Sequence, residues 1–449
     1  MTVPTPAPAG RVDGAPVPAP RQAQRGVTTG ELARLVGIDF ARFLAIVGMM
    51  CAHLLLQPGM PGHQAWVSAL VDGNASTLFA VIGGISVILA TRRYLEAGAY
   101  AAAAWAMAAR GVVVIVLGAT LAMLPVSVVI VLVYFGVAML CTIPFLRMPV
   151  RWLLVSAALI ALVGPFVTTA VRGSLNVTAE AGGLPWTDLA DPALAVRAVF
   201  VTGTYPVITW LVYLLVGMAL ARLLLAARRD EQTERRFIVR SGVTGIVLTV
   251  VSLGASRLIF ELWGRAAITA ATPRIDPALL EELVGESGYG APVSGDWWWL
   301  LGAAPHTGTL FDVLRGIGVA LIVIALMLAF ARWAPRWLLG ALRPVSAAGA
   351  APLTIYTVHV LGVAVTTSIV MLLDPVSFTE LPWWYLGWQI LAVHVAVVLV
   401  IGAVLAVLGR RGPLEVFVSA VATWAARVGS RENWSKHMRR MPPAAGAEQ

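Results

Sequence analysis

The chain has 449 residues, 59% of them hydrophobic and only 12% charged. A soluble domain carries about 25% charged residues, so there is too little charge here to cover a water-facing surface. The net charge of +9 is spread along the chain rather than gathered in a soluble module, so nucleic acid is not an expected partner.

Residues 1–30 are rich in Pro, Ala and Gly, lack an apolar run, and read as a disordered arm with no signal peptide. Ten apolar segments follow, at about 38–56, 75–92, 106–124, 126–146, 151–172, 206–227, 237–254, 308–330, 351–373 and 383–408. Their lengths suit membrane-spanning helices, not barrel strands. The expected fold is an all-α, polytopic transmembrane helical bundle of about ten spans, ten or eleven.

Arginines gather on alternate connections: Arg92 and Arg93, Arg147 and Arg151, Arg228 to Arg236, Arg332 to Arg343, then Arg410 and Arg411. The intervening segments 57–74 and 373–382 carry no Lys or Arg. The positive-inside rule therefore places both termini in the cytoplasm. With a GC-rich-looking composition, the expected location is a bacterial inner membrane.

The organisation is read as an arm (1–30), a first transmembrane region (31–256), an extracytoplasmic loop (257–307), a second transmembrane region (308–411), an amphipathic inner-surface helix (412–430) and a disordered basic tail (431–449). Membrane lipids are the constant partners. Trp297, Trp298 and Trp299, and the aromatic run 383–388, fit an outer interfacial belt. Cys51 and Cys141 have no metal-ligand spacing, and no HExxH or CxxC motif occurs. No metal is expected.

Ionisable groups inside a bilayer are expensive and mark function more often than chance. Asp39 and Arg42 are three apart at the inner end of the first span, where they share a helix face and can pair. They suit either packing or the phosphate groups of an anionic donor arriving with Arg34, Arg92 and Arg93 nearby. His53 lies about 21 Å further along the helix, near its outer end. His63, Trp66, Asp72 and Asn74 crowd the entry to the second span. A histidine oriented by a carboxylate can take a proton from a hydroxyl or amine. Gly83 and Gly84 allow close backbone approach. Further on, His306 precedes a span carrying Arg315, for which Asp312 is the candidate partner. Tyr356 and His359 share a face of the ninth span. Each of these also has a plain reading as packing or interfacial anchoring.

The segment "RLVGIDFARFLAIVGMMCAH" resembles the opening of membrane acyltransferases related to heparan-alpha-glucosaminide N-acetyltransferase, and of bacterial YeiB-like proteins. Arg34, Asp39 and Arg42 keep the family frame, with Phe43 where glycine is usual. His63, Trp66, Asp72, Phe79, Gly83, Gly84 and Ser86 resemble the run that follows, with Asp72 one place early. By this match the family's catalytic histidine falls on His63, and His53 matches a histidine common in bacterial relatives. His306, Tyr356, His359 and the run Gly412 to Glu415 resemble the YeiB-type C-terminal region.

The resemblance implies acyl transfer, typically of acetyl from acetyl-CoA or another acyl-CoA in the cytoplasm, to an extracytoplasmic sugar or lipid-linked glycan. It also implies a homodimer. In this reading His63, His53, Asp72 and Asn74 are catalytic, with His63 as base and Asn74 holding the thioester or oxyanion. Arg34, Asp39, Arg42, Arg92 and Arg93 bind the donor, and His306, Arg315, Tyr356 and His359 line the cavity. The rival readings are a transporter or flippase, whose path the same polar groups would line, and a binding scaffold.

Overall fold

The computed structural model describes residues 29–56, 65–177, 180, 182–227, 230–292, 297–373, 382 and 384–440, with side chains from Val36 to Gly429. His63 and the side chain of Arg34 lie outside the described residues. All regular structure among them is helical.

In chain order the helices are α1 (Thr29–Leu55), α2 (Ala65–Val71), α3 (Asn74–Glu96), α4 (Tyr100–Leu121), α5 (Leu132–Cys141), α6 (Val150–Leu175), α7 (Pro192–Arg197), α8 (Val207–Ala227), α9 (Glu231–Ile259), α10 (Arg265–Ala271), α11 (Pro277–Gly285), α12 (Leu310–Trp333), α13 (Arg336–Ala341), α14 (Arg343–Gly349), α15 (Pro352–Leu373), α16 (Trp388–Leu408) and α17 (Pro413–Arg440). Among the described residues, nine helical stretches are long and apolar enough to cross a membrane.

The fourth expected span is the exception. Residues 122–131 are not helical, and only the ten residues of α5 follow. The chemistry explains the break. Pro125 has no amide hydrogen and pushes Leu124 toward extended backbone. Val126, Val128, Val129, Ile130 and Val131 are β-branched and stiff in a helix. Irregular backbone at membrane depth is tolerated only where protein buries it or a cavity meets it. Here Val129 and Val131 line a cavity described below.

Small residues set the closest crossings. A Cβ on Gly84 would collide with the Leu214 carbonyl, and one on Gly217 with the Val81 carbonyl, so α3 and α8 touch backbone to backbone. Gly349 meets the Asp39 carbonyl in the same way, which seats α14 on α1.

Helix α17 runs past residue 430 to Arg440. Its small face, Ala422 and Ala426, packs on Ala102 and Ala106 of α4. Its large apolar residues Phe417, Trp424 and Val428 point outward, as a helix lying against lipid requires. Near its start, Glu415 accepts hydrogen bonds from the Leu353 amide (2.7 Å) and the Thr354 hydroxyl (2.6 Å). A carboxylate at the N-terminus of α15 is favoured by that helix's dipole, and it fixes the inner end of α15.

On the outer side α9 continues through a wider turn, Phe260–Gly264, into α10. Arg257 and Arg265 pair with Glu261 and Glu281 there. The segment 257–307 is therefore substantially helical, with α11 started by the Asp276 carboxylate, which accepts from the Ala278 amide.

Candidate functional site

The outer ends of α1, α3 and α8, with the first turns of α15, enclose a cavity of about 50 Å³ lined by His53, Gly73, Ser76, Val131, Tyr205, Trp210, His306 and Tyr356. A smaller cavity of about 20 Å³ shares Gly73, Ser76, Tyr205, Trp210 and His306 with it and reaches Asp312. Above them lies an aromatic-walled vestibule of about 250 Å³, lined by Phe260, Ser287, Tyr289, Trp298, Trp299 and Thr307.

His306 is the polar side chain of the outer wall, and Asp72 lies against it. His306 Nε2 is 3.4 Å from Asp72 Oδ1, and the ring lies edge-on to Tyr205 at 5.7 Å between centroids. The backbone puts them there. His306 adopts a left-handed φ of 57°, followed by Gly308 at 66°. Such a conformation in a non-glycine residue is held by its surroundings and clusters at functional sites. Here the Gly288 amide donates to the Pro305 carbonyl (2.7 Å) and the Gly290 amide to the His306 carbonyl (2.9 Å). Gly73 also has a positive φ, 68°, and a Cβ there would press on Arg315 and Pro305. Only glycine lets the Asp72 turn nest so closely under His306.

Beneath this wall Arg315 pairs with Asp312 (2.8 Å), whose second oxygen accepts from the Gly308 amide (3.1 Å). Both side chains are buried. This pair holds the turn from below.

On the opposite wall His53 heads a row of three imidazoles, of which His359, expected to line the cavity, and His394 lie behind it and do not line it. His53 Nδ1 is 3.1 Å from His359 Nε2, and His359 Nδ1 is 2.9 Å from His394 Nδ1. The row joins α1, α15 and α16. Three residues before His359, Tyr356 is buried with no hydrogen bond of ordinary geometry to its hydroxyl, beside the backbone of Val131.

Tyr356 also lines a second cavity, of about 160 Å³, on the inner side. Its other walls include Arg110 of α4, Arg411 just before α17, Glu415 in the first turn of α17, Phe79, Phe135 and Leu353. Arg93 lies within electrostatic reach of Arg110 and bonds the Thr423 hydroxyl of α17 (3.1 Å). One tyrosine thus stands between a cationic inner cavity and an imidazole-lined outer one.

The remaining expected residues sit apart from this junction. Arg42 donates to Asp39 (2.7 Å), to the Gly349 carbonyl (2.9 Å) and to Ser86 (3.3 Å). Arg92 pairs with Glu96 at the surface. Asn74 directs its amide donors to the Ala69 and Leu70 carbonyls (both 3.2 Å), leaving its buried oxygen without a partner. Among the described residues Asp72 meets His306 and Ser287, while His63 falls in 57–64, outside the described residues. Sequence reasoning did not single out His394 or Arg110. His394 carries the same signal as His359, an ionisable residue in an apolar span. Among the described residues no group of three His, Cys, Asp or Glu is arranged to hold a metal, and the histidine row is a line of contacts rather than a ligand cluster.

A family model described as heparan-alpha-glucosaminide N-acetyltransferase, catalytic, matches residues 34–260. The chain belongs to this family. It is a membrane acyltransferase, an enzyme that depends on an acyl-CoA-type donor. No curated protein matches the chain. The matched segment of this acyltransferase contributes His53, Arg110, Tyr205 and Trp210 to the two cavities. His306, Tyr356 and Arg411 lie beyond it, so both cavities are closed by residues outside the family segment.

Proposed function

We propose that this acyltransferase takes acyl-CoA, with acetyl the favoured group, from the cytoplasmic side and transfers the acyl group to an extracytoplasmic sugar or lipid-linked glycan. The observation that carries this reading is Tyr356, shared by the inner and outer cavities. The coenzyme's phosphates suit the inner arginines, Arg110, Arg411 and Arg93, because guanidinium forks match phosphate oxygens. The thioester then reaches Tyr356, whose unpartnered hydroxyl is placed to donate to the oxyanion that develops on the acyl carbonyl.

The acceptor enters through the aromatic vestibule, with His306 and Asp72 as its polar contacts. His53, whose ring lines the outer cavity, takes the acceptor's proton. The sequence resemblance implies His63 as the base instead, and the two assignments separate by mutation. We place the enzyme as a multi-pass protein of a bacterial inner membrane, acting as a homodimer.

Purified protein turning over labelled acyl-CoA tests the reading. Arg110→Ala and Arg411→Ala should each raise KM for acyl-CoA about tenfold, the scale of one charge-assisted hydrogen bond. They should leave KM for acyl-pantetheine, which lacks the nucleotide, unchanged. Equal effects on both donors would remove the phosphates from the inner cavity. The unwound stretch beside the cavity is also a transporter trait; a flippase would move its solute with no thioester consumed.

A further inference from the structure

We infer that the outer cavity measures the donor's acyl group: it admits acetyl and propionyl and turns away longer chains, with Met49 and Val131 as the side chains that set the limit. This rests on the acyl-transfer reading and adds to it a size limit and the residues that impose it.

A cavity of about 150 Å³ takes benzene, and one buried water needs about 10–15 Å³. On those two scales the outer cavity, about 50 Å³, takes roughly two to five heavy atoms. An acetyl group brings a carbonyl carbon, its oxygen and a methyl. Propionyl adds one carbon to these, butyryl two and hexanoyl four. Hexanoyl exceeds the room on either scale, and butyryl fills it on the more generous one. The acceptor's reacting atom has a place of its own in the adjoining cavity of about 20 Å³, which shares Gly73, Ser76, Trp210 and His306 with the first.

With the acyl carbonyl at the Tyr356 hydroxyl, the tail lies against the remaining lining. Its apolar part is Met49, Val71, Ala75, Val129 and Val131. An alkyl tail gains from burial there and needs no polar partner. A longer tail would have to fold back past Tyr356 into the inner cavity, where the coenzyme's own arm lies in this reading.

These walls have little room to retreat. Helices α1 and α3 cross closely at Gly48, where a Cβ would stand 2.8 Å from that of Ala75. Val131 ends the broken fourth segment between Ile130 and Leu132, each only 1% exposed. Trp210 is buried and held edge-on by Phe135, Tyr205 and Tyr213. A close-packed interior resists even one extra methylene. The unwound stretch after Pro125 thus lends the acyl subsite one of its walls. Met49 is the unbranched wall, and shortening it opens space without touching the backbone.

The test uses the full-length protein in detergent, with glucosamine as acceptor because it offers both hydroxyls and an amine. Release of the coenzyme thiol gives kcat/KM for acetyl-, propionyl-, butyryl- and hexanoyl-CoA. One methylene in an apolar pocket is worth about 10–200-fold. Wild type should use butyryl-CoA about tenfold less well than propionyl-CoA, and hexanoyl-CoA at least about a hundredfold less well than acetyl-CoA. Met49→Ala removes three heavy atoms from the wall and should raise the butyryl-to-acetyl ratio about tenfold or more. Val131→Ile adds one methyl and should lower the propionyl-to-acetyl ratio about tenfold. Each ratio is taken within one sample, so loss of folded protein cancels. Hexanoyl-CoA used as well as acetyl-CoA by wild type, or an unchanged ratio in either variant, would overturn the size limit while leaving acyl transfer standing. No thiol release from any of the donors would instead remove the acyl-transfer reading, and the limit with it.

Discussion

The two ends of helix α1 present the same puzzle and resolve it differently. At the inner end Asp39 and Arg42 satisfy each other within one turn, and the neighbouring Gly349 carbonyl takes what remains. At the outer end His53 finds its partner His359 306 positions along the chain and turns toward a cavity. Both ends reach distant helices, since Arg42 also donates to Gly349 and Ser86, so distance along the chain does not separate them. What differs is that Arg42 carries its countercharge one turn away and lines none of the cavities described above, whereas His53 has no carboxylate beside it in its row and lines the outer cavity. The first helix contains both kinds, and only their surroundings separate them.

That contrast can be broken by experiment. The largest expected effect is at the outer end: His53→Ala should lower kcat by about 10²–10⁴, the usual contribution of a positioned acid–base group. Its melting temperature should stay near wild type. His63→Ala in parallel decides which histidine is the base, and full turnover in His53→Ala would assign that role to the loop.

At the inner end the pattern should invert. Arg42→Ala leaves the partly buried Asp39 unpaired and should destabilise the protein by about 3 kcal/mol, read as a lower melting temperature. The molecules that remain folded should keep wild-type KM for acyl-CoA. A selective rise in that KM would make Arg42 a donor ligand. Gly349→Ala should destabilise by about 1–3 kcal/mol through overpacking against the Asp39 carbonyl, again without a change in kcat.

The smallest effect is on the outer surface. Glu180 accepts both oxygens' worth of hydrogen bonds from Arg197 (2.7 Å), and a further one from Thr202 (2.6 Å). These bonds hold its carboxyl below the usual glutamate range. A depressed carboxylate stabilises the fold above its unfolded pKa and loses that contribution as pH falls through the folded one. Wild type should therefore lose slightly more melting temperature than Glu180→Gln on going from pH 7 to below pH 4. Parallel curves would show that this pair contributes nothing.

Much of the bundle was legible because lipid leaves few options. Apolar length and arginine spacing gave nine of the spans, and the i, i+3 spacing of Asp39 with Arg42 and of Asp312 with Arg315 gave both pairs. The broken fourth span was not legible, because 126–146 reads as a continuous apolar run and only Pro125 hints at the interruption. His394 was hidden in the span of highest mean hydropathy, 3.0, where one polar residue barely alters the pattern. Arg110 lies in the third expected span, 106–124, and drew no reading of its own. The pairing of His306 with Asp72, and the meeting of α1, α15 and α16 at three imidazoles, depend on which helix faces meet across 200 to 300 residues. Periodicity along one helix holds no record of that.

The central claim is that donor and acceptor approach the same tyrosine from opposite sides of the membrane. It is tested most directly in sealed vesicles with the protein in one orientation, labelled acyl-CoA only at the arginine-rich face and acceptor only at the other. The account predicts labelled acceptor on the far side while the coenzyme stays behind. Transfer only when both substrates share one compartment would contradict it.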